Sequence, residues 1–469
     1  MRITPAERSA IAARMMVDIE TLASDEYEGR APGTPGGLKT VGYLTQRFAE
    51  VGLTSGTNDP GNPWRAPVAL TSFRATSSKI EVTVGGKVTT FGELEAVAVT
   101  TRKRELIADS DVVFVGYGAS DVASEDVMGK VVVMLADASL NPERRILLED
   151  KQASAVIVVP DVPGAIDGFF VTQVRMQSDR ESVSLTGEID EAFGVVVEQK
   201  AMARALGEKR WSALVAAAKE QDFKPLNLDA KVNIEANSDR RDFDSYNVLG
   251  RIAGTKPDNE AVLVMAHWDH LGLCRPEGEV DRICNGALDN ASGIALMLEL
   301  ARRLEEAGPY ERDIYVLATT AEESGLLGAQ AFVANPPLPL TNIVAAFNFD
   351  TVALAPAGAP VGFVGEGRTP LDRVVLEELL ASGRDLGDRD YAERYVQRQD
   401  AWALLQKGVP AVLLSSAFAS EITAGPFFEG VYHSPKDEVG AIEFGGAVDD
   451  LLLHEALVKR LARPVVKAQ

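Results

Sequence analysis

The sequence predicts an α/β protein with a doubly wound, mostly parallel sheet, into which a β-rich module is inserted. Three observations predict it. After Tyr246, short apolar runs alternate with amphipathic stretches; three of those runs end beside a histidine or a carboxylate; and from about Ser72 to Ser238 closely spaced strands replace this pattern.

The chain opens on a helix, with Thr4 as cap and Pro5 in the first turn. The turn-rich loop LASDEYEGRAPGTPGG then leads into a second helix, in which Leu38, Val41, Leu44, Phe48 and Val51 recur at helical spacing. KIEVTVGGKVTTF alternates apolar and polar residues around Gly-Gly and reads as a hairpin. DVVFVGYG, GKVVVML and AVIVV read as further strands, in a stretch with no histidine and no acidic cluster. The expected division is therefore 1–72 with 239–469 as one discontinuous domain, and 73–238 as the insert. Beyond it, NVLGRIAG, AVLVMAH, DIYVLATT, NIVAAFNFD and VPAVLLSS are the expected strands. ASGIALMLELARRLEEAG is an expected helix capped near Ser292, and FGGAVDDLLLHEALVKRL another, whose His454 reads as structural.

Apolar residues make up 46% of the 469, enough to bury a large core. The net charge of −22 excludes a phosphate-binding surface of the nucleic-acid kind. No stretch approaches the roughly 20 apolar residues that span a bilayer. MRITPAERSAIAARMM carries scattered arginines and no apolar core, so it is not read as a signal peptide, and a cytoplasmic location or export from a longer precursor both stay open. Cys274 and Cys284, the only cysteines, are a disulfide pair in an oxidising compartment or two free thiols otherwise.

The chemistry gathers at the strand ends. AVLVMAHWDHLG places His267 just past a strand with Asp269 two residues on; DIYVLATTAEESG leads to Glu322 and Glu323; NIVAAFNFD ends on Asp350. Asp289 precedes a helix in NGALDNASG, and His433 lies in VYHSPKDE. Ligands of open α/β sheets bind outside the carboxyl ends of the strands. Imidazole with carboxylate suits Zn²⁺, with Mn²⁺ or Co²⁺ as substitutes. The set is too large for one catalytic zinc and suits two, about 3.5–4 Å apart, with one glutamate left for proton transfer. Alone, each element is weak: a Glu-Glu pair is usually a solvated helix face, and a lone histidine a satisfied polar group. Their joint placement carries the argument.

HWDH, GALDNASG, AEESGLLGA, NFD and YHSPKDE resemble the ordered motifs of the co-catalytic di-zinc aminopeptidases of metallopeptidase clan MH, which includes bacterial leucyl aminopeptidase and glutamate carboxypeptidase II. The resemblance covers roughly Tyr246 to Val439, together with LASDEYEGRAPGTPGG. VVFVGYG and GKVVVML resemble the protease-associated domain inserted in such enzymes. The resemblance implies the zinc-exopeptidase, phosphorylase/hydrolase-like fold. It implies one metal on His267 and Asp350, a second on Glu323 and His433, and Asp289 as bridge. Glu322 would be the general base and Asp269 the carboxylate that orients His267. The Asp289–Asn290 peptide bond would be cis. His270, further from the strand end, is the rival ligand to His267.

Asp400 and Tyr432 stand as substrate contacts, although YVQRQDAWALL departs from the family pattern by having Gln399 before Asp400. The implied activity is removal of N-terminal residues from peptides, with a free peptide N-terminus as partner. The alternatives are a carboxypeptidase, with Arg394 or Arg398 for the substrate carboxylate, a one-zinc glutaminyl cyclase, and a non-catalytic receptor-like relative. Members with this domain arrangement are commonly exported, so the resemblance implies a periplasmic or secreted protein.

Overall fold

The computed structural model describes residues 3–118, 122–136, 143–188, 193–256, 260–463 and 465. The chain divides into two compact units, Met1–Ala69 with Phe243–Gln469, and Leu70–Asp242.

The first unit is doubly wound. Ala261–His267 pairs in parallel with Asp313–Thr319 on one side and Ile343–Asn348 on the other, and Ile343–Asn348 pairs in parallel with Ala411–Ser415. Antiparallel strands flank these four: Gly362–Val364 beside Ala411–Ser415, and residues 248–252 beside Asp313–Thr319, with Thr54–Ser55 antiparallel to residues 250–251 beyond. Strands buried on both faces read as continuous apolar runs, and AVLVMAH and DIYVLAT are buried throughout.

Alternate residues serve opposite cores. Val262, Val264 and Ala266 pack with the helices Pro5–Leu22, Pro35–Val51, Gly293–Ala307 and Phe444–Ala462. Ala261, Leu263 and Met265 face the helices Leu327–Ala334 and Ala401–Leu405. Each fully buried aliphatic side chain contributes about 1.5–3 kcal/mol, so both faces are strongly held.

Thr4 caps the first helix as expected, its hydroxyl accepting from Glu7 N while Glu7 reaches back to Thr4 N. In Pro35–Val51, Val41, Leu44 and Phe48 are buried, but Leu38 is 55% exposed and lies off the packed stripe. Ser292 also differs from expectation. It is already helical, its hydroxyl donates to Leu288 O, and a wide turn, Ala287–Ser292, precedes the helix.

The second unit combines strands and helices. The KIEVTVGGKVTTF hairpin forms with Val84 opposite Lys87, and Gly85 and Gly86 both take positive φ (54° and 81°), as a two-residue turn requires. The end of Arg104–Gly116, then Val131–Ala136, Ala155–Pro160 and Phe193–Val197, pair in parallel in that order. Helices Phe169–Ser178, Gln199–Leu206 and Glu208–Ala217 complete it.

Candidate metal centre

Register does the first part of the assembly. His267 pairs with Thr319 and Met265 with Asn348, so three strands stop at one edge. From there the chain runs directly into His267–His270, Glu322–Glu323 and Asp350. Asp289 comes from the turn before Gly293–Ala307, and His433 follows the helix Glu421–Gly430.

Asp289 stands at the centre. Its Oδ1 is 3.3 Å from His267 Nε2, and its Oδ2 is 3.5 Å from His433 Nε2 and 3.9 Å from His270 Nδ1. On one side His267 Nε2 also lies 3.7 Å from Asp350 Oδ1 and 3.9 Å from Glu322 Oε2. On the other, Glu323 is bracketed by two imidazoles, with His270 Nδ1 at 2.6 Å from Oε1 and His433 Nε2 at 2.8 Å from Oε2. Two donor groups therefore share Asp289: His267–Asp289–Asp350 and His270–Asp289–Glu323. The Asp289–Asn290 bond is cis, as the motif implied.

His270 and His267 are thus not competitors for one position. They sit in different halves of the cluster, and His270 packs on Glu323. Three imidazoles and four carboxylates suit divalent cations.

Electrostatics follow from crowding. Burial opposes charge on His267, but Glu322, Asp289 and Asp350 outweigh it and raise its pKa well above the usual imidazole value. Burial of His433 is only partial; it too opposes charge, but Asp289 and Glu323 push the imidazole up to about 9. Burial raises Glu322 well above the usual carboxyl range, and Asp350, Asp400 and Glu323 add to it. Against burial, His267 and His433 hold Asp289 far down, and His270 and His433 lower Glu323.

Two expectations change. The carbonyl of Asp269, 3.1 Å away, is the partner of His267 Nδ1, while its carboxylate stands 3.8 Å off. That carboxylate instead accepts from the backbone N–H groups of Glu322 (3.1 Å) and Glu323 (3.4 Å), tying two strand ends together. Burial raises it to about 7. Asp400 is fully buried and accepts from the Thr319 hydroxyl, so it supports a strand end and does not line the cleft. Tyr432 does line it, with Asp289, Glu322, Asp350, Arg398 and the aromatic rings of Tyr395, Phe418 and Phe428. The Tyr432 ring stacks on His433, with centroids 3.6 Å apart.

Sequence reading assigned no site role to Asp437 or to the side chain of Asn290. The Asp437 carboxylate accepts from Leu288 N (2.8 Å) and Asp289 N (3.0 Å), and burial pushes it up to about 6. Asn290 Oδ1 accepts from Gly293 N and Thr351 N, joining the Asp289 turn to the Asp350 strand end. Position inside the quoted motifs was the available signal for both.

Residues 247–449 match the family model described as Peptidase family M28. The chain carries an M28 peptidase domain. The M28 match spans every ligand candidate. Among curated relatives, the probable lipoprotein aminopeptidase LpqL of Mycobacterium tuberculosis is 26% identical over 278 residues, 53% of this chain and 52% of that one. Carboxypeptidase Q of Pongo abelii is 26% identical over 141 residues, 30% of this chain and 27% of that one. The chain thus spans about half the length of the first relative and less of the second. A solved aminopeptidase from Aneurinibacillus sp. strain AM-1 superposes with a TM-score of 0.55 at 19% identity, covering 97% of this chain and 95% of that one; this likeness concerns the fold.

Proposed function

We propose that the M28 domain is a zinc-dependent exopeptidase, foremost an aminopeptidase. The observation that carries this reading is the pair of donor groups sharing Asp289, with Glu322 beside them on the open cleft. His267 and Asp350 would hold one zinc, Glu323 and His433 the other, and Asp289 both. When bound, the ions would supply Lewis-acid polarisation of the scissile carbonyl and acidify a water molecule.

The chain's own residues do the rest. Glu322 accepts a proton from the attacking water as its oxygen bonds to the carbonyl carbon. It returns the proton to the amine nitrogen as the C–N bond breaks. His270, bonded to Glu323 Oε1, fixes that carboxylate so that Oε2 faces His433. Tyr395, Phe418, Phe428 and Leu413 give the cleft an apolar wall for a substrate side chain, and its carboxylates suit an ammonium group. This reading also supports a location outside the cytosol. Cys274 and Cys284 are paired, and such bonds persist in oxidising compartments. The mycobacterial relative is named a lipoprotein. Residues 73–238 are proposed as the protease-associated-like module, on the resemblance of VVFVGYG and GKVVVML.

A carboxypeptidase is the second reading, favoured by one observation: Arg398 lines the same cleft as Glu322. Peptides blocked at one end separate the two. An aminopeptidase loses N-acetylated substrates and keeps C-amidated ones; the reverse pattern would replace the first reading with the second.

A further inference from the structure

The loop LASDEYEGRAPGTPGG sends one residue deep into the first unit. Glu28, Gly29 and Arg30 all take positive φ, at 48°, 65° and 55°. The first and last of these are unusual for residues with side chains. Gly29 packs so closely that an added Cβ would stand 2.4 Å from Cys284 O. This backbone turns the Arg30 side chain inward, where it is completely buried.

No carboxylate pairs with it there within ion-pair distance among the described residues; all of its bonds go to backbone carbonyls. Nε donates to Trp268 O (2.9 Å), Nη1 to Leu22 O (2.7 Å) and Asn285 O (2.5 Å), and Nη2 to Gly286 O (3.0 Å). Trp268 stands between His267 and Asp269, and Asn285–Gly286 lead directly into the turn that carries Asp289. The same turn is held from its other side by Asp437, which takes the N–H groups of Leu288 and Asp289. A cation therefore gathers carbonyls, and a carboxylate gathers amides, on one short segment. A buried charge is retained at substantial cost, so this one needs a role. A planar five-donor fork serves several fixed acceptors at once, which an ammonium does not.

We propose that Arg30 is a positioning residue for the metal centre, clamping the His267 strand end to the Asp289 turn so that both donor groups can share that aspartate. This rests on the proposed zinc-binding function. A purely structural arginine would affect stability and leave the zinc affinity of the folded protein unchanged.

The test uses the full chain as wild type, Arg30→Lys and Arg30→Met. Each is stripped of metal and titrated with zinc against a chromophoric chelator, with thermal unfolding and anilide turnover measured in parallel. The expected result is a cooperative transition in at least Arg30→Lys. Its zinc affinity should be weaker by tenfold or more, and kcat should fall while KM stays within about threefold. Variants that fold and bind zinc within twofold of wild type would overturn the inference. Loss of cooperative unfolding in both variants would also overturn it, making Arg30 a folding element. Failure of wild type to bind zinc would instead bring down the proposed function, and the inference with it.

Discussion

Both units of this chain run parallel strands toward a loop-lined edge, yet they treat polar groups there in opposite ways. In the second unit, the Tyr117 hydroxyl donates to Asp161, Gln199 Nε2 donates to the same carboxylate at 2.6 Å, and Lys219 stands 3.6 Å from it. Despite burial, these neighbours hold Asp161 below its usual pKa. The cluster satisfies itself. In the first unit, Asp289, Glu322, Glu323 and Asp350 crowd together, and imidazoles are the only basic side chains within ion-pair distance of them among the described residues. Topology supplies an edge in both cases, but only crowded carboxylates leave something for a cation to complete.

The sharpest way to break this comparison is to remove the shared donor. Asp289→Ala should lose most bound zinc and all measurable hydrolysis, read by elemental analysis and anilide cleavage. Retention of two zinc ions would show that the two groups do not depend on Asp289. Glu322→Gln should keep its zinc and lose about 10²- to 10⁴-fold in kcat, because only proton transfer is removed. A parallel loss of metal would make Glu322 a ligand and not the base.

Much of this edge was legible because its residues lie within a few positions of strand ends that apolar runs reveal. His267, Glu322, Glu323 and Asp350 follow their strands directly, and Asp289 and His433 sit in recognisable loops. What escaped depends on contacts between residues far apart in sequence. Arg30 meets Trp268 across 238 positions, and although its segment LASDEYEGRAPGTPGG shares the family resemblance, nothing in that segment names the carbonyls it meets. The turn before Gly293–Ala307 hid Ser292's actual role, since a serine ahead of an apolar run reads as a cap whether or not it is already helical. Sequence proximity also suggested that the Asp269 side chain would meet His267, whereas its carbonyl does so and the carboxylate turns to Glu322 and Glu323.

Smaller effects sharpen the contrast. Cys274 and Cys284 close a short loop, with a sequence separation of 10, just before the Asp289 turn. Replacing both by Ala should cost roughly 2–3 kcal/mol on the chain-entropy account, measured by denaturant unfolding. A negligible change would show that the loop is held by its packing alone. His454 gives a pH signature. Burial lowers its pKa from 6.5 to about 4, while its Nδ1 bond to Asp450 O opposes this. The unfolded chain therefore takes up a proton that the folded one refuses, and stability falls as pH drops from about 6.5 toward 4. The slope contributed is on the order of 1.4 kcal/mol per pH unit. His454→Asn should flatten it, and an unflattened curve would assign the acid sensitivity elsewhere. Least of all, Asp161→Asn should lower stability by about 1 kcal/mol and leave zinc content and turnover unchanged, as fits a cluster that is already complete.

The most direct measurement of the central claim is zinc per chain in reconstituted wild-type protein, by elemental analysis, alongside aminoacyl-anilide hydrolysis. The account predicts about two zinc ions per chain and turnover that disappears on chelation and returns with zinc. Protein that binds no more than one ion and cleaves no anilide would contradict it.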